Sequence, residues 1–558
     1  MKFLWLKTAV LILFATPAFS QFFSDTLLIP DTLSGNTFDL NMSGGTKQFY
    51  TGTTTNTSGY NGSYLGPTLI FNNGDSVQMH VTNNLNETTT THWHGMHVAA
   101  ENDGGPHTSF APGETWSPKF KIIEKATTFW YHPHVHKKTN SQVSSGLAGL
   151  IIIRDDEEKA LVLPRTYGVD DIPLVFQTKA FDSLNQITIG PIDSATMVNG
   201  IIKPVFNAPA QMVRFRLLNA SSSRTFMLGF DDNRSFYQIA SDGGLLSAPY
   251  STNRIRLAPG ERVEMVVDFN SDMGKLLKLK SYSSELPSSI KGGFAFDGNP
   301  LSGANFDFMA INVVSSTPNP VTTAPPSVLA TLSYLDENDA NRTRVQRLTG
   351  RPPEEAYGFN GKVMDMSVID DTVHINDTEI WEIFNETDIA HPFHLHAVQF
   401  FILDRDGASP SANEAGRKDV VLVMPHERVR IIAKFDHFAN DSIPYMYHCH
   451  MLKHEDDGMM AQFIVVDNTV TSSSKIDNIQ QFSIHPNPST GIIQIETDCD
   501  NWNFAIIDKL GRTLIHGTQN QNSKPLTELN LSFLIPGSYF VKIWSQNQKF
   551  TEQLIIMR

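Results

Sequence analysis

The stretch Tyr447-His448-Cys449-His450-Met451-Leu452-Lys453-His454, followed by Glu455, Asp456, Asp457, Gly458 and Met459, carries two metal-binding patterns at once. On a β-strand successive side chains point to opposite faces, so His448 and His450 share one face and Cys449 projects from the other. One strand can therefore serve two metal sites. A Cys449 thiolate, His454 from the loop beyond and the soft thioether of Met459 make up most of a trigonal blue-copper set, whose second histidine has to come from elsewhere.

Upstream lies His391-Pro392-Phe393-His394-Leu395-His396, in which His394 and His396 share a face and His391, an odd step away, can turn to the other side with Cys449. Two further pairs, His92-Trp93-His94-Gly95 and His132-Pro133-His134, stand near the N-terminal end. With 19 histidines in 558 residues, random placement gives roughly 0.65 His-x-His pairs. Five are present when His134/His136 is counted, so chance is a poor explanation.

These four segments resemble, in order, spacing and flanking residues, the four copper-binding signatures of the multicopper oxidases, over roughly residues 40 to 468. The resemblance implies an all-β fold of three Greek-key cupredoxin β-sandwich domains. It also implies four coppers. His391, Cys449 and His454 would hold the type 1 ion with Met459 as a weak axial ligand; His92 and His394 would hold the type 2 ion; His94, His132, His134, His396, His448 and His450 would hold the type 3 pair. Zinc would fit three histidines and a thiolate, but not ten histidines spread over both ends of the chain. Cys449 lies covalently between His448 and His450, a short bonded route from the type 1 site to the cluster. Asp103 and Glu455 fall where the family places acidic residues beside the cluster, which implies proton-relay roles; the alternative is that they only orient ligand imidazoles. His80, His97, His107, His136, His374, His426, His437, His485 and His516 read as ordinary surface or core histidines.

A chain of 558 residues is too long for one core and predicts about three or four domains. A net charge of -15 argues against nucleic acid. Two cysteines, Cys449 and Cys499, leave little for a disulfide framework. Residues 1–20 carry Lys2 and Lys7, an apolar run from Thr8 to Phe14, and Ala18-Phe19-Ser20, a secretory signal too short to span a membrane. Without a twin-arginine pair, export through the general pathway and copper loading outside the cytoplasm are expected.

Short β-rich runs between Gly, Asn, Asp and Thr clusters fill residues 25–155, with Ser76 to Val81 and Leu150 to Ile153 as strands; the same texture fills 160–315, with Met212 to Leu218 and Arg262 to Phe269, and 353–468. Leu65-Gly66-Pro67-Thr68, Met197-Val198-Asn199-Gly200 and Gly358-Phe359-Asn360-Gly361 are parallel openings of the three units. Residues 316–352, rich in Pro and Thr, read as a linker. The middle unit has no His-x-His pair and is expected to space the outer two. Residues 476–558, opening at Phe482-Ser483-Ile484-His485-Pro486-Asn487-Pro488, resemble the small β-sandwich sorting domain of the type IX secretion system, whose machinery would be a partner and would carry the protein from periplasm to the exterior or cell surface.

The expected activity is four one-electron oxidations of a small reducing substrate coupled to reduction of O₂ to two waters. Copper-efflux members of the family carry a methionine-rich insert near the type 1 site, whereas residues 310–363 here contain no methionine and Ile389 stands two before His391. That favours a laccase-like oxidase of phenols or aromatic amines over a metallo-oxidase of Cu(I) or Fe(II). An electron-transfer protein without O₂ reduction, or a relative that lost its metals, fits the complete histidine set less well.

Overall fold

The computed structural model describes residue 23, residues 25–293 and 298–467 and, of the last ninety residues, 482–497, 502–508, 512–519, 526–544 and 549–557. The signal at 1–20 and Cys499 lie outside the described residues. Residues up to Asn468 form one compact unit and Thr469–Arg558 another. Among the described residues no helix is long and apolar enough to cross a membrane.

The first unit contains three successive β-sandwiches. In the first, the sheet containing Thr32–Ser34, Thr68–Asn72, Gly149–Arg154, Thr127–His132 and His92–His94 packs on a sheet built around Thr37–Lys47 and Ser76–Asn84. Alternating side chains such as Leu40, Val81, Trp93, Phe129 and Ile151 fill the space between them. The second sandwich is larger, with Asp171–Phe181, Met212–Asn219 and Arg262–Asp268 hydrogen-bonded as neighbours. In the third, Asp371–His374, Met460–Val466, Asn440–Cys449, His391–Leu395 and Val420–Val423 make one sheet, and Thr378–Asn385 and Arg428–Lys434 lie in the other.

One boundary is corrected. Arg342–Arg351, within the stretch expected to be linker up to residue 352, is a strand that pairs in parallel with Thr378–Asn385. Its Pro-rich surroundings hide a period-2 alternation in which Gln346 and Leu348 turn inward.

The C-terminal unit has its own core, with Ile493, Ile495, Trp502, Ile506, Val541 and Leu554 buried between a three-stranded and a four-stranded sheet.

Candidate metal centre

Register, more than sequence proximity, assembles the site. In the third sandwich His394 pairs across from His448 and Phe393 from Cys449, while in the first His92 pairs across from His132. Side-chain alternation then puts His391, Cys449 and Met459 into the interior of the third sandwich and turns His394, His396, His448 and His450 toward the first.

Cys449 Sγ lies 3.5 Å from His391 Nδ1 and 3.7 Å from His454 Nδ1. Two ligand bonds of about 2.0 and 2.3 Å opening at roughly 120° span about 3.7 Å, so these three atoms surround a space that fits one trigonal ion. His391 is held for this by its other nitrogen, 2.8 Å from Thr387 Oγ1. Met459 is wholly buried beside the set, and its backbone is tied to it: its N–H donates to His454 O and its carbonyl accepts from Cys449 N. Burial pushes the Cys449 thiol well above its ordinary value, so a thiolate there requires a cation next to it.

The remaining histidines fall into sets of the same kind. His94 Nδ1 is 3.2 Å from His450 Nε2 and 3.5 Å from His132 Nε2; His448 Nε2 is 3.1 Å from His134 Nε2 and 3.3 Å from His396 Nε2. Two nitrogens each about 2.0 Å from one ion at a tetrahedral angle lie about 3.3 Å apart. His92 and His394 give their Nδ1 protons to the carbonyls of Asp103 and Asp419, at 2.9 and 2.7 Å. Their Nε2 atoms are buried with no hydrogen-bond partner, an arrangement that costs free energy unless an ion takes the lone pairs. Burial is the largest cause holding His94, His132, His134, His391, His394, His396 and His450 well below the ordinary histidine value, and it brings His448 to about 3 and His454 to about 4. Neutral imidazole is the form that binds a metal.

Asp103 Oδ2 sits 2.9 Å from His396 Nδ1, and its buried Oδ1 has no partner. Glu455 lies 3.3 Å from His448 Nδ1 and 3.5 Å from His134 Nδ1. All twelve expected ligands and both acids are thus gathered here, whereas His107 and His136 are absent from the triads above; His107 instead bonds Gln462 at 2.7 Å.

Sequence reasoning missed three residues. Asp419 Oδ1 is 3.1 Å from His94 Nε2, which leaves Nδ1 of that ring for an ion. The Asp419 carboxylate is in turn gripped by both terminal nitrogens of Arg262, one at 2.6 Å. Arg262 belongs to the middle sandwich, and so does Gly260, whose positive φ of 83° and lack of a Cβ let the backbone press against the His450 ring. The middle unit therefore supports the cluster directly instead of only spacing its neighbours. None of the three stands in a histidine or cysteine motif, so the sequence carried no signal for them.

A cleft of about 470 Å³ opens at His454. Ile189, Pro191, Ile290, Ile389 and Met451 make it apolar, and Tyr357 packs its ring 4.6 Å from that of His454 and 4.9 Å from that of His391. Lys291 and Lys453 line it, and no carboxylate does among the described residues.

A family profile described as multicopper oxidase matches residues 41–158, and a second with that description matches 325–469; a secretion system C-terminal sorting domain matches 483–557. The chain is similar to the multicopper oxidase mco of Staphylococcus haemolyticus, 35% identical over 437 residues that cover 76% of this chain and 87% of the relative. It is similar as well to the cell division protein FtsP of Xenorhabdus nematophila, 31% identical over 417 residues, covering 73% of this chain and 84% of that one. Among solved structures, the laccase-like multicopper oxidase CueO from an Ochrobactrum species matches with a TM-score of 0.72 at 34% identity, over 79% of this chain and 100% of the other.

Proposed function

The chain belongs to the multicopper oxidase family, and we propose that it is a secreted laccase-like oxidase, taking single electrons from phenols or aromatic amines and passing four of them to O₂. The observation that carries the substrate class is the cleft at His454, apolar and without a carboxylate among its described lining residues, which suits an aromatic ring better than a metal cation. The Ochrobactrum relative has oxidase activity towards lignin model compounds and lignosulfonate, which supports the same class.

His391, Cys449, His454 and Met459 would hold the type 1 copper, His92 and His394 the type 2 copper, and His94, His132, His134, His396, His448 and His450 the type 3 pair. Four bound coppers would supply one-electron oxidation at the first site and four-electron reduction of O₂ at the cluster. The chain's own residues do the rest. Ile189, Ile290 and Ile389 bind the substrate ring and exclude water from it. The covalent run His448-Cys449-His450 keeps the two centres bonded neighbours. Asp103 Oδ1 and the Glu455 carboxylate, buried beside ligand rings without a hydrogen-bond partner, are the atoms at which protons are held for the two waters. Secretion follows from the type IX sorting domain; cleavage near residue 20, passage through the periplasm and release or display outside are the route proposed for it.

The test is the visible and EPR spectrum of the copper-loaded protein, its copper count, and O₂ uptake on a phenol and on Cu(I). An intense blue band, four coppers and phenol-dependent uptake are expected. Uptake on Cu(I) alone would replace this reading with a metallo-oxidase, and a colourless protein would remove the assignment around Cys449.

A further inference from the structure

Two histidines outside the copper sets meet at a second place where the first and third sandwiches face each other. His97 follows the strand His92–His94, and His437 follows the strand Arg428–Lys434. Their rings stand 5.0 Å apart at 86°. Asp436 Oδ1 lies 2.5 Å from His437 Nδ1, which places the proton there and leaves Nε2 a lone pair. Such a carboxylate behind an imidazole is a common support for a metal-binding histidine.

The surroundings hold the pair in place. Glu124, buried, accepts the backbone N–H of His97 at 2.5 Å and that of Ile123 at 3.0 Å, which pins the loop. Phe438 adopts a φ of 60°, unusual for a bulky side chain, and sets its ring 5.6 Å from His97. Burial, with His437 beside it, pushes His97 down to about 4, so its ring is neutral at neutral pH.

His97, Glu124, Asp436 and His437 line a cavity of about 380 Å³ that also presents Lys125, Arg417 and Lys434. Lys125 is paired with Glu157 at 3.3 Å and Lys434 lies 3.8 Å from Asp436. An ion here is therefore held by imidazole nitrogen and not by a negative field. His437 is 47% exposed, so the ion exchanges with solvent.

We propose that His97 and His437, with Asp436 behind His437, form an additional exchangeable site for an imidazole-preferring divalent d-block ion, Cu(II) most strongly and Zn(II) after it. An ion bound there ties the first sandwich to the third. It does not depend on which substrate the oxidase takes.

The test first dialyses the full-length copper-loaded protein against metal-free buffer, which strips exchangeable copper, then against Zn(II), and counts both metals, because zinc uptake is then separate from refilling of the copper sites. One zinc per chain with unchanged copper is expected, together with a thermal midpoint that rises with zinc concentration. H97Q and H437Q should each lose that zinc while keeping their copper. D436N, which retains both imidazoles, should weaken zinc binding about 10–100-fold. No zinc uptake, zinc gained at the expense of copper, or equal uptake in H97Q and H437Q overturns the proposal.

Discussion

Cys449 is one side chain with two neighbours that matter: the ion it would hold, and the peptide that joins it to His448 and His450. Its thiol is pushed up by burial, and only a cation in contact reverses that. Cys449→Ser is therefore expected to abolish the blue band and lower the copper count by one, with the histidine cluster still loaded; visible absorption and metal analysis check both. Asp103 presents an unpaired oxygen beside His396, and the role proposed for it is proton delivery in addition to ligand placement. Asp103→Asn keeps the hydrogen bond to His396 but not the charge. It is expected to keep the blue band and to lower kcat on the order of 100-fold, as loss of a general acid does; a turnover number within a factor of two of the parent would assign Asp103 to orientation alone.

At the scale of elements, the strand Asp171–Phe181 carries Lys179, 6% exposed, whose Nζ donates to Ser144 O at 2.9 Å in the last turn of the helix Thr139–Ser145. A cation at a helix C-terminus is favourable. Desolvation outweighs this and lowers Lys179 from 10.5 to about 7. Between those values the unfolded chain binds a proton that the folded one does not, so stability rises with pH across the window and its cost is greatest below pH 7. Lys179→Met removes the slope. The parent should gain on the variant by about 1 kcal/mol per pH unit from pH 7 to 10, read as the difference in thermal midpoint at each pH. The strands carrying the ligands were legible because alternation writes itself into residue order, as at His394 and His396. Arg342–Arg351 was not, because its Pro-rich approach masked the alternation.

At the scale of the whole molecule, one ion pair ties the three sandwiches together. His94 comes from the first, Arg262 from the second and Asp419 from the third. Arg262→Met leaves a buried carboxylate unpaired and is expected to cost about 3–5 kcal/mol. Its midpoint should fall, and copper should be lost to a chelator faster than from the parent. The C-terminal unit has a core of its own. A chain ending at Asp467 should therefore keep the parent's copper count and phenol turnover in vitro and fail to reach the culture medium, measured by oxidase activity inside and outside the cells. From the sequence alone came the His-x-His pairs, the covalent His448-Cys449-His450 link and the all-β texture, local properties set by residue type and by the two-residue period of a strand; the full ligand list and the sorting domain came from the resemblance of those segments to known families. Only the tertiary structure decided that Asp419 and Arg262 stand behind His94, that Gly260 presses on His450, and that His97 faces His437. Those contacts join residues more than 150 positions apart, and nothing in residue order marks a pairing that exists only once three separate cores have packed against one another.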